Sequence, residues 1–264
     1  MTVQAALLTM HDKARLIEPA LRCLDWELAV QSNFDTDSLG SFSGERQRFM
    51  SPYDCALRKA ALAADLSGLD IGIGSEGSYS PGPYGLGTFN LELMCCVNVS
   101  AGWVVTGRFY GPSMAQQWQI SDTTQLHQAL EKVATGQHLL LQQGQLAVKG
   151  LSVEQAARHA SAMLQQGVLT LSYDLRAHLS PERQEHITKA AIDLVSRIQS
   201  VCPNCGSPSF WPDKAIPGLP CEACGIPTRL TSQKVSCCQR CDYSQVQPIA
   251  SSFADSQYCP ECNP

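Results

Sequence analysis

The sequence predicts an α/β domain with a mixed sheet over residues 1–200, followed by a small cysteine-rich module over residues 201–264. Two observations lead to this prediction. Short apolar segments alternate with amphipathic helical segments up to residue 200, which is the pattern of an α/β domain, and adjacent hairpin-like strands indicate a mixed sheet. Beyond residue 200 the chain carries four Cys-x-x-Cys pairs.

The first elements are predicted from apolar periodicity. Residues 4–9 and 26–30 are predicted strands, and the helix predicted between them contains Pro19, which should kink it. A polar, Gly/Ser-rich loop follows. An alanine-rich helix then begins at Pro52, a residue suited to a first helical turn, and the strand predicted over residues 69–74 leads into a Gly/Pro-rich loop.

The remaining elements continue the same alternation. Residues 92–99 and 103–110 are predicted to pair as a hairpin. A predicted helix over residues 152–166 begins with a capping box of Ser152 and Gln155. The last helix begins with Ser180-Pro181-Glu182, a cap, a first-turn proline and an acid. Other predicted elements are a helix over residues 122–134 and strands over residues 138–142, 145–148 and 168–172.

The cysteine pairs have the spacing of structural zinc sites. Fifteen residues separate the first pair from the second, and seventeen separate the third from the fourth. Two such pairs complete a closed tetrahedral shell of four thiolates, so we expect a zinc-ribbon-like module with two zinc ions. The predicted ligands are Cys202, Cys205, Cys221, Cys224, Cys238, Cys241, Cys259 and Cys262.

The spacing leaves the pairing of these knuckles open. Sequential pairing is favoured because both gaps are then ribbon-like; a nested arrangement and a cross-brace are the alternatives. Both gaps are shorter than the long insert of a rubredoxin, which favours zinc over iron.

Charge and cysteine usage narrow the classes of protein. The net charge is −5, and the four basic residues of the tail face five acidic ones, which argues against nucleic-acid binding. Eight of the thirteen cysteines form Cys-x-x-Cys pairs, a metal pattern more than a disulfide pattern. With no signal peptide and no apolar run of membrane-spanning length in the sequence, we expect a cytoplasmic protein.

Polar residues occur at strand ends and helix starts, where α/β enzymes place their sites. Lys13 follows the first strand at a helix start and could bind phosphate, although an ordinary solvated helix start would look the same. Asp37 and Glu45 lie in the Gly/Ser-rich loop and suit Mg²⁺, the alternative being a merely acidic loop.

Two further groups follow later strands. Glu76 comes after residues 71–74, with Lys59 on the preceding helix; the alternative is a turn with an exposed glutamate. Asp174, Arg176 and His178 precede the last helix, and Arg183 lies in its first turn. Guanidinium groups and a helix dipole favour phosphate, although Asp174 and Arg176 could instead pair to fix the loop.

Two resemblances add to this interpretation. Over nearly the whole chain, the sequence resembles an uncharacterised bacterial family of unknown function. The segments that carry this resemblance are LLTMHDKARLIEP, DTDSLGSFSGE, GSEGSYSPGP, DLRAHLSPERQEHI and the cysteine tail. The N-terminal third also resembles, in the order of its motifs, the inosine-triphosphate pyrophosphatases and Maf-like nucleotide pyrophosphatases. That second resemblance implies phosphate binding at residues 9–13, a metal-binding acid at Asp37 or Glu45, and matches to Lys59-Ala60 and Ser75-Glu76-Gly77.

The sequence thus predicts a Mg²⁺-dependent phosphohydrolase acting on a nucleotide or a related phosphorylated small molecule. Glu45, Asp37 and Glu76 would hold metal and orient water, and Asp174 or His178 would handle a proton. The predicted phosphate ligands are Lys13, Lys59, Arg176 and Arg183. The alternative is a non-catalytic anion-binding adaptor whose zinc module contacts a protein partner. Neither interpretation involves a nucleic acid or a membrane.

Overall fold

The computed structural model describes residues 2–10, 12–32, 34, 35 and 49–264. Two predicted site residues, Asp37 and Glu45, lie outside this part of the chain. The chain divides into two compact units, Met1–Val195 and Ser196–Pro264. None of the helices described is long and apolar enough to cross a bilayer.

The first unit contains a five-stranded mixed sheet with the strand order β2-β1-β3-β4-β5. β1 runs parallel to both β2 and β3, whereas β4 runs antiparallel to its neighbours β3 and β5. The predicted α/β fold class with a mixed sheet is therefore confirmed. The strands are β1 (Val3–Leu8), β2 (Trp26–Gln31), β3 (Ile71–Pro81), β4 (Thr88–Asn98) and β5 (Trp103–Ser113).

Small residues bring helix α2 (Pro52–Ser67) close to β3. A Cβ atom at Gly72 would overlap the Ala60 carbonyl, and one at Gly74 would overlap the backbone of Ala56 and Ala60. Ser51 caps the helix by accepting the Asp54 N–H at 3.1 Å. This close packing fixes the face of α2 that contacts the sheet. The preceding helix, α1 (Ala14–Leu21), contains Pro19 and connects β1 with β2.

β3 is longer than the sequence predicts. The prediction ended the strand at residue 74 and placed Glu76 in a loop, but the strand continues to Pro81. The strand continues because β4 pairs with β3 along the whole length of β3, from Ile71 opposite Asn98 to Pro81 opposite Thr88. β1 pairs with β3 only as far as Ile73, so Glu76 lies beyond the carboxyl end of β1.

A second, antiparallel sheet adds to the one that the sequence predicts. Its strand order is β6-β9-β7-β8, and its apolar face packs on α3 (Thr123–Leu130) and α4 (Val153–Met163). The capping box of Ser152 and Gln155 begins α4, as predicted. β6 was not predicted because it has four residues and two of them are glutamines. The strands are β6 (Gln117–Ile120), β7 (Leu139–Gln143), β8 (Leu146–Leu151) and β9 (Leu169–Tyr173).

Helix α5 (Pro181–Gln199) closes the first unit against β5. A Cβ atom at Gly107 would overlap the backbone of Ala190 and Leu194, so glycine allows the close approach. The face predicted to be apolar is buried at Ile187, Ala190 and Leu194.

The second unit contains a small antiparallel sheet with the strand order β10-β11-β12. The strands are β10 (Lys214–Pro217), β11 (Thr231–Cys237) and β12 (Ser244–Pro248).

Candidate functional site

Five charged side chains are buried together in the first unit, and we call them the charge cluster. Three are cations and two are carboxylates. They come from the start of α1, from α2, β3 and β4, and from the first turn of α5. The members are Lys13, Lys59, Glu76, Glu92 and Arg183, all at most 7% exposed.

Lys13 enters the cluster from the turn that follows β1. It immediately precedes α1, and its Nζ donates to the Ser75 hydroxyl at 2.9 Å. Ser75 lies on β3 just past the last residue that pairs with β1, Ile73. The lysine therefore reaches across the carboxyl end of β1 toward the part of β3 that lies beyond its pairing with β1.

Lys59 and Glu76 form a buried ion pair between α2 and β3. The Lys59 Nζ lies 2.5 Å from Glu76 Oε2, and the Cys55 thiol, one helical turn earlier, donates to the same oxygen at 3.4 Å. Glu76 shares its face of β3 with Gly72 and Gly74, because side chains alternate along a strand. The close packing of α2 on those glycines positions Lys59 for this contact.

Arg183 and Glu92 form a second buried ion pair on the opposite face of β3. The guanidinium Nε donates to Glu92 Oε1 at 2.7 Å, and Nη1 donates to the Leu175 carbonyl. Gly77 stands opposite Glu92 in the strand register. A Cβ atom at Gly77 would overlap both charged groups, so this position leaves room for the pair.

Asn90 and His186 hold the Glu92 carboxylate in place. The Asn90 amide donates to Glu92 Oε1 at 3.2 Å and to the Ser78 carbonyl. Its Oδ1 lies 2.9 Å from His186 Nδ1, so the imidazole donates there. His186 also stacks on Phe109, with ring centroids 4.2 Å apart. The other carboxylate oxygen, Glu92 Oε2, is buried and has no hydrogen-bond partner among the residues that the structure describes.

The electrostatics of the cluster show an excess of positive charge. The pKa of Lys13 is lowered from 10.5 to about 8, mainly by burial and also by the nearby Arg183 guanidinium, while Glu92 opposes the shift. Burial also raises the pKa of Tyr79, whose hydroxyl interacts with Arg183 and Glu92. Among the residues that the structure describes, the three cations of the cluster outnumber its two carboxylates, so the cluster is suited to an additional anion.

Asp174 and Arg176 lie apart from the charge cluster and pair with each other. Arg176 Nη2 donates to Asp174 Oδ2 at 2.7 Å, and the Gly150 N–H donates to the same oxygen. Burial alone would raise the pKa of Asp174, but the hydrogen bonds from Arg176 and Gly150 outweigh it and lower that pKa. These contacts fix the loop after β9; a proton-transfer role for Asp174 stays a prediction.

His178 lies on the surface close to this loop. Partial burial and the Arg176 charge lower its pKa. Of the residues predicted from sequence, the structure therefore brings Lys13, Lys59, Glu76 and Arg183 together. Asp174 and Arg176 lie outside that group and line a cavity of about 410 Å³.

Sequence reasoning missed Glu92 together with Asn90 and His186. Glu92 and Asn90 are two residues apart in a strand that is otherwise largely apolar, so both point to one face. Two polar residues at that spacing within a buried strand are the signal that could have identified them. His186 lies one helical turn after Arg183, which places both side chains on the same face of α5.

Eight of the nine cysteines of the second unit form two groups of four, and Cys237 belongs to neither. One group joins Cys202 and Cys205 to Cys238 and Cys241; the other joins Cys221, Cys224, Cys259 and Cys262. Each group could hold a metal ion. The favoured sequential pairing is therefore wrong, and the arrangement is the cross-brace.

The small sheet explains this pairing. β10 runs antiparallel to β11, with Lys214 opposite Val235, so the chain segments that follow the first knuckle and precede the third are neighbours. The second knuckle follows the other end of β10. An isolated bridge joins Cys221 to Ala254 and draws in the segment that carries the fourth knuckle.

The geometry within each group suits a tetrahedral ion. A tetrahedron of four thiolates bound at about 2.3 Å has sulfur–sulfur edges of about 3.8 Å. The Sγ atoms of Cys202 and Cys241 are 3.7 Å apart, and those of Cys224 and Cys259 are 3.6 Å apart. Backbone N–H groups of Ala223 and Arg240 point at ligand sulfurs at 3.4 Å, which stabilises thiolates.

The knuckles share one backbone pattern. In each, the carbonyl of the first cysteine accepts an N–H from the residue four positions later, which tightens the turn so that both sulfurs face one point. Gly206 and Gly225, the residues in that position of the first two knuckles, have positive φ angles of 71° and 75°. The donors are Gly206, Gly225, Asp242 and Asn263.

Fold and site together define a mixed-sheet α/β protein with a double metal-binding module. The model of a domain of unknown function, DUF6671, matches residues 59–264, and the chain belongs to that family. The match begins at Lys59 and includes both cysteine groups. Among curated proteins and solved structures, nothing matches the chain. The predicted membership of a family of unknown function is confirmed; the likeness to nucleotide pyrophosphatases stays a prediction.

Proposed function

We propose that the first unit is a phosphohydrolase that cleaves a phosphate ester or anhydride bond of a nucleotide or a related phosphorylated small molecule. The observation that carries the proposal is the charge cluster. Buried charges are costly unless they are paired, yet this cluster keeps one cation more than it has carboxylates. A phosphate group would supply the missing negative charge.

The position of the cluster supports the same function. β1, β2 and the start of β3 run parallel, and ligands of α/β proteins bind beyond the carboxyl ends of such strands. Lys13 and Ser75 lie at that edge. In this proposal Lys13 and Arg183 contact the phosphoryl oxygens, and Lys59 adds its positive charge from the other face of β3. Fixed positive charges in this role stabilise the transition state more than the ground state.

Glu92 is the carboxylate best placed to act on water. Arg183 and Asn90 hold Oε1, which leaves Oε2 to accept a proton from the attacking water or to bind a cation. Magnesium would be such a cation and would polarise a phosphoryl oxygen. Glu76 is the second carboxylate of the site, and Lys59 restrains it. Asp37 and Glu45 remain predicted metal ligands.

For the second unit we propose two structural zinc ions. All four ligand positions are filled by cysteine in each group, which leaves no open position for a substrate. Thiolate centres persist where thiols stay reduced, so we place the protein in the cytoplasm. The module then acts as a folded platform, with a protein partner as its proposed contact.

The experiment that tests the enzyme proposal uses Lys13→Met. Phosphate and pyrophosphate release from a nucleotide panel is measured with Mg²⁺ and with EDTA. We expect the variant to lose at least about a hundredfold in turnover, yet to melt no lower than the wild type, because it removes a buried charge. Lys132→Met, on an exposed lysine, is the matched control and should leave turnover unchanged.

Glu92→Gln separates chemistry from binding. It keeps the shape of the side chain but removes the basic oxygen, so we expect turnover to fall about 10²- to 10⁴-fold while substrate still binds. Glu76 is better replaced by glutamine than by alanine, because glutamine keeps a side-chain oxygen that can accept a hydrogen bond from Lys59. Equal turnover in wild type, Lys13→Met and Glu92→Gln would contradict the proposal.

The alternative is a non-catalytic binder of small anions. The observation that favours it is the restraint of Glu76, whose Oε2 already receives Lys59 and Cys55. Such a binder would hold its ligand in EDTA and release no phosphate from any member of the panel. The same excess positive charge would then serve binding alone.

A further inference from the structure

The cavity beside the charge cluster is built on the polar face of the second sheet. Side chains alternate along β9, so Leu169 and Leu171 enter the core while Ser172 faces the other side. Ser172 pairs in register with Gln117 on β6 and with Leu140 on β7. These residues and Gln142 line the cavity, which has a volume of about 410 Å³. Cavities of this size hold small organic ligands.

Two contacts connect this cavity with the charge cluster. Tyr79, which lines the cavity, lies on β3 two residues beyond Gly77 and opposite Asn90. Leu175 also lines it, and its backbone carbonyl accepts a hydrogen bond from Arg183. A molecule whose phosphate contacts Arg183 would therefore extend its remaining part toward the cavity.

Neutral hydrogen-bonding groups outnumber the charged side chains of the lining, which are Lys149, Asp174 and Arg176. Gln117, Gln142 and Ser172 both donate and accept hydrogen bonds. The acidic group of the wall, Asp174, is committed to Arg176 and to the Gly150 N–H. Side-chain amides match the paired donors and acceptors on the edge of a heterocyclic base, and an aromatic ring such as that of Tyr79 suits its planar face.

We infer that this cavity binds the heterocyclic base of a nucleotide whose phosphates contact the charge cluster. The inference rests on the proposed phosphohydrolase function and names its substrate class. Inorganic polyphosphates and sugar phosphates carry no planar edge that amide groups could recognise. They would use the charge cluster but leave the cavity side chains without a role.

The test compares nucleoside triphosphates with inorganic tripolyphosphate, which has the phosphates but no base. Gln142→Leu and Gln117→Leu remove the neutral donors and acceptors of the cavity. Gln119→Leu is the matched control, because Gln119 lies on the same strand as Gln117 but outside the cavity lining. Affinity is measured by calorimetry on the full chain, and KM is measured in parallel.

We expect each cavity variant to weaken nucleotide binding and to raise KM about tenfold, as expected for the loss of one or two hydrogen bonds, while tripolyphosphate is unaffected. The control variant Gln119→Leu should change the affinity for neither ligand. Nucleotide binding that is absent, or that is indifferent to both cavity variants, would overturn the inference.

The two proposals fail in distinguishable ways. If tripolyphosphate and nucleotides are hydrolysed equally well and the cavity variants change nothing, the phosphohydrolase proposal survives and the base site is refuted. If no phosphate compound is hydrolysed but the cavity variants weaken nucleotide binding, the base site survives and the enzyme proposal fails.

Discussion

The charge cluster of the first unit and the cysteine groups of the second both bury ionisable side chains, but they solve the problem of buried charge differently. Each cysteine group brings together four potential thiolates of one sign, which need a cation between them. The charge cluster mixes signs, so most of its charges are paired within the protein. With the two zinc ions that we propose, the cysteine groups would need their ligand to fold, whereas the charge cluster is held by ion pairs within the protein.

The two sites also differ in how the chain assembles them. Cysteines within a knuckle are three residues apart, and a local turn brings their sulfurs together. The charge cluster draws on positions from Lys13 to Arg183, which only the completed sheet and its helices bring together. The cysteine groups thus arise from local motifs, whereas the charge cluster arises only from the tertiary structure.

The largest expected effect comes from removing metal. We expect elemental analysis to give two zinc ions per chain and a strong chelator to unfold the second unit, because zinc in closed thiolate sites contributes about 10–16 kcal/mol of folding free energy. The first unit should keep its melting transition. Limited proteolysis before and after chelation measures both outcomes.

A protease-resistant second unit in the metal-free protein would contradict this expectation, as would a single zinc ion per chain. Substitution of cadmium for zinc then tests the cross-brace. Cys205→Ser and Cys238→Ser should perturb the same cadmium NMR signal, while Cys221→Ser should perturb the other. With sequential pairing, Cys205→Ser and Cys221→Ser would affect one signal instead.

The local features of the molecule were predictable from sequence. Cysteine spacing identified all eight residues of the two groups, and periodicity located α2, α5 and the β4–β5 hairpin. The pairing of the knuckles was not predictable, because it depends on the register of β10 against β11. Spacing alone is equally compatible with a ribbon.

The charge cluster was predictable only in part. Lys13, Glu76 and Arg183 were predicted because the sequence places each near a predicted strand end or helix start. Lys59 was predicted because it lies on the helix that precedes Glu76. Glu92 stands in the middle of β4, where a sequence pattern predicts a core position or a solvated face. Its role depends on Gly77 across the strand pair and on Arg183, ninety-one residues away. No local pattern contains that information.

An intermediate effect is expected from the pH dependence of stability. The pKa of Lys13 is lowered to about 8 in the folded state and returns to 10.5 on unfolding. Below pH 8 Lys13 is protonated in both the folded and the unfolded state, so the folded state carries the full free-energy cost of burying its charge. Between these values the unfolded state binds more protons, so stability rises with pH, by about 2 kcal/mol up to pH 10. Urea unfolding of the first unit at several pH values measures this rise.

Lys13→Met is the reference for that measurement, because it lacks the titrating group and shares every other one. The difference in unfolding free energy between wild type and variant should narrow as the pH is raised. Inorganic phosphate should delay the narrowing, because an anion beside Lys13 raises its pKa. A difference that stays constant from pH 7 to pH 10 would show that Lys13 is not buried as a charge.

The smallest effect is expected from an ion pair within the second unit. Arg197 Nη1 donates to Asp213 Oδ2 at 2.8 Å, but the Asp213 side chain is 47% exposed. Partly exposed pairs contribute less than about 1 kcal/mol, and Arg197 would keep its contact with the Trp211 ring after Asp213→Asn. Melting of the zinc-loaded protein should therefore hardly change, and both ions should remain bound. Loss of a zinc ion in this variant would mean that protein contacts, and not thiolate coordination alone, hold the second unit together. The cysteine groups would then resemble the charge cluster in depending on ion pairs within the protein.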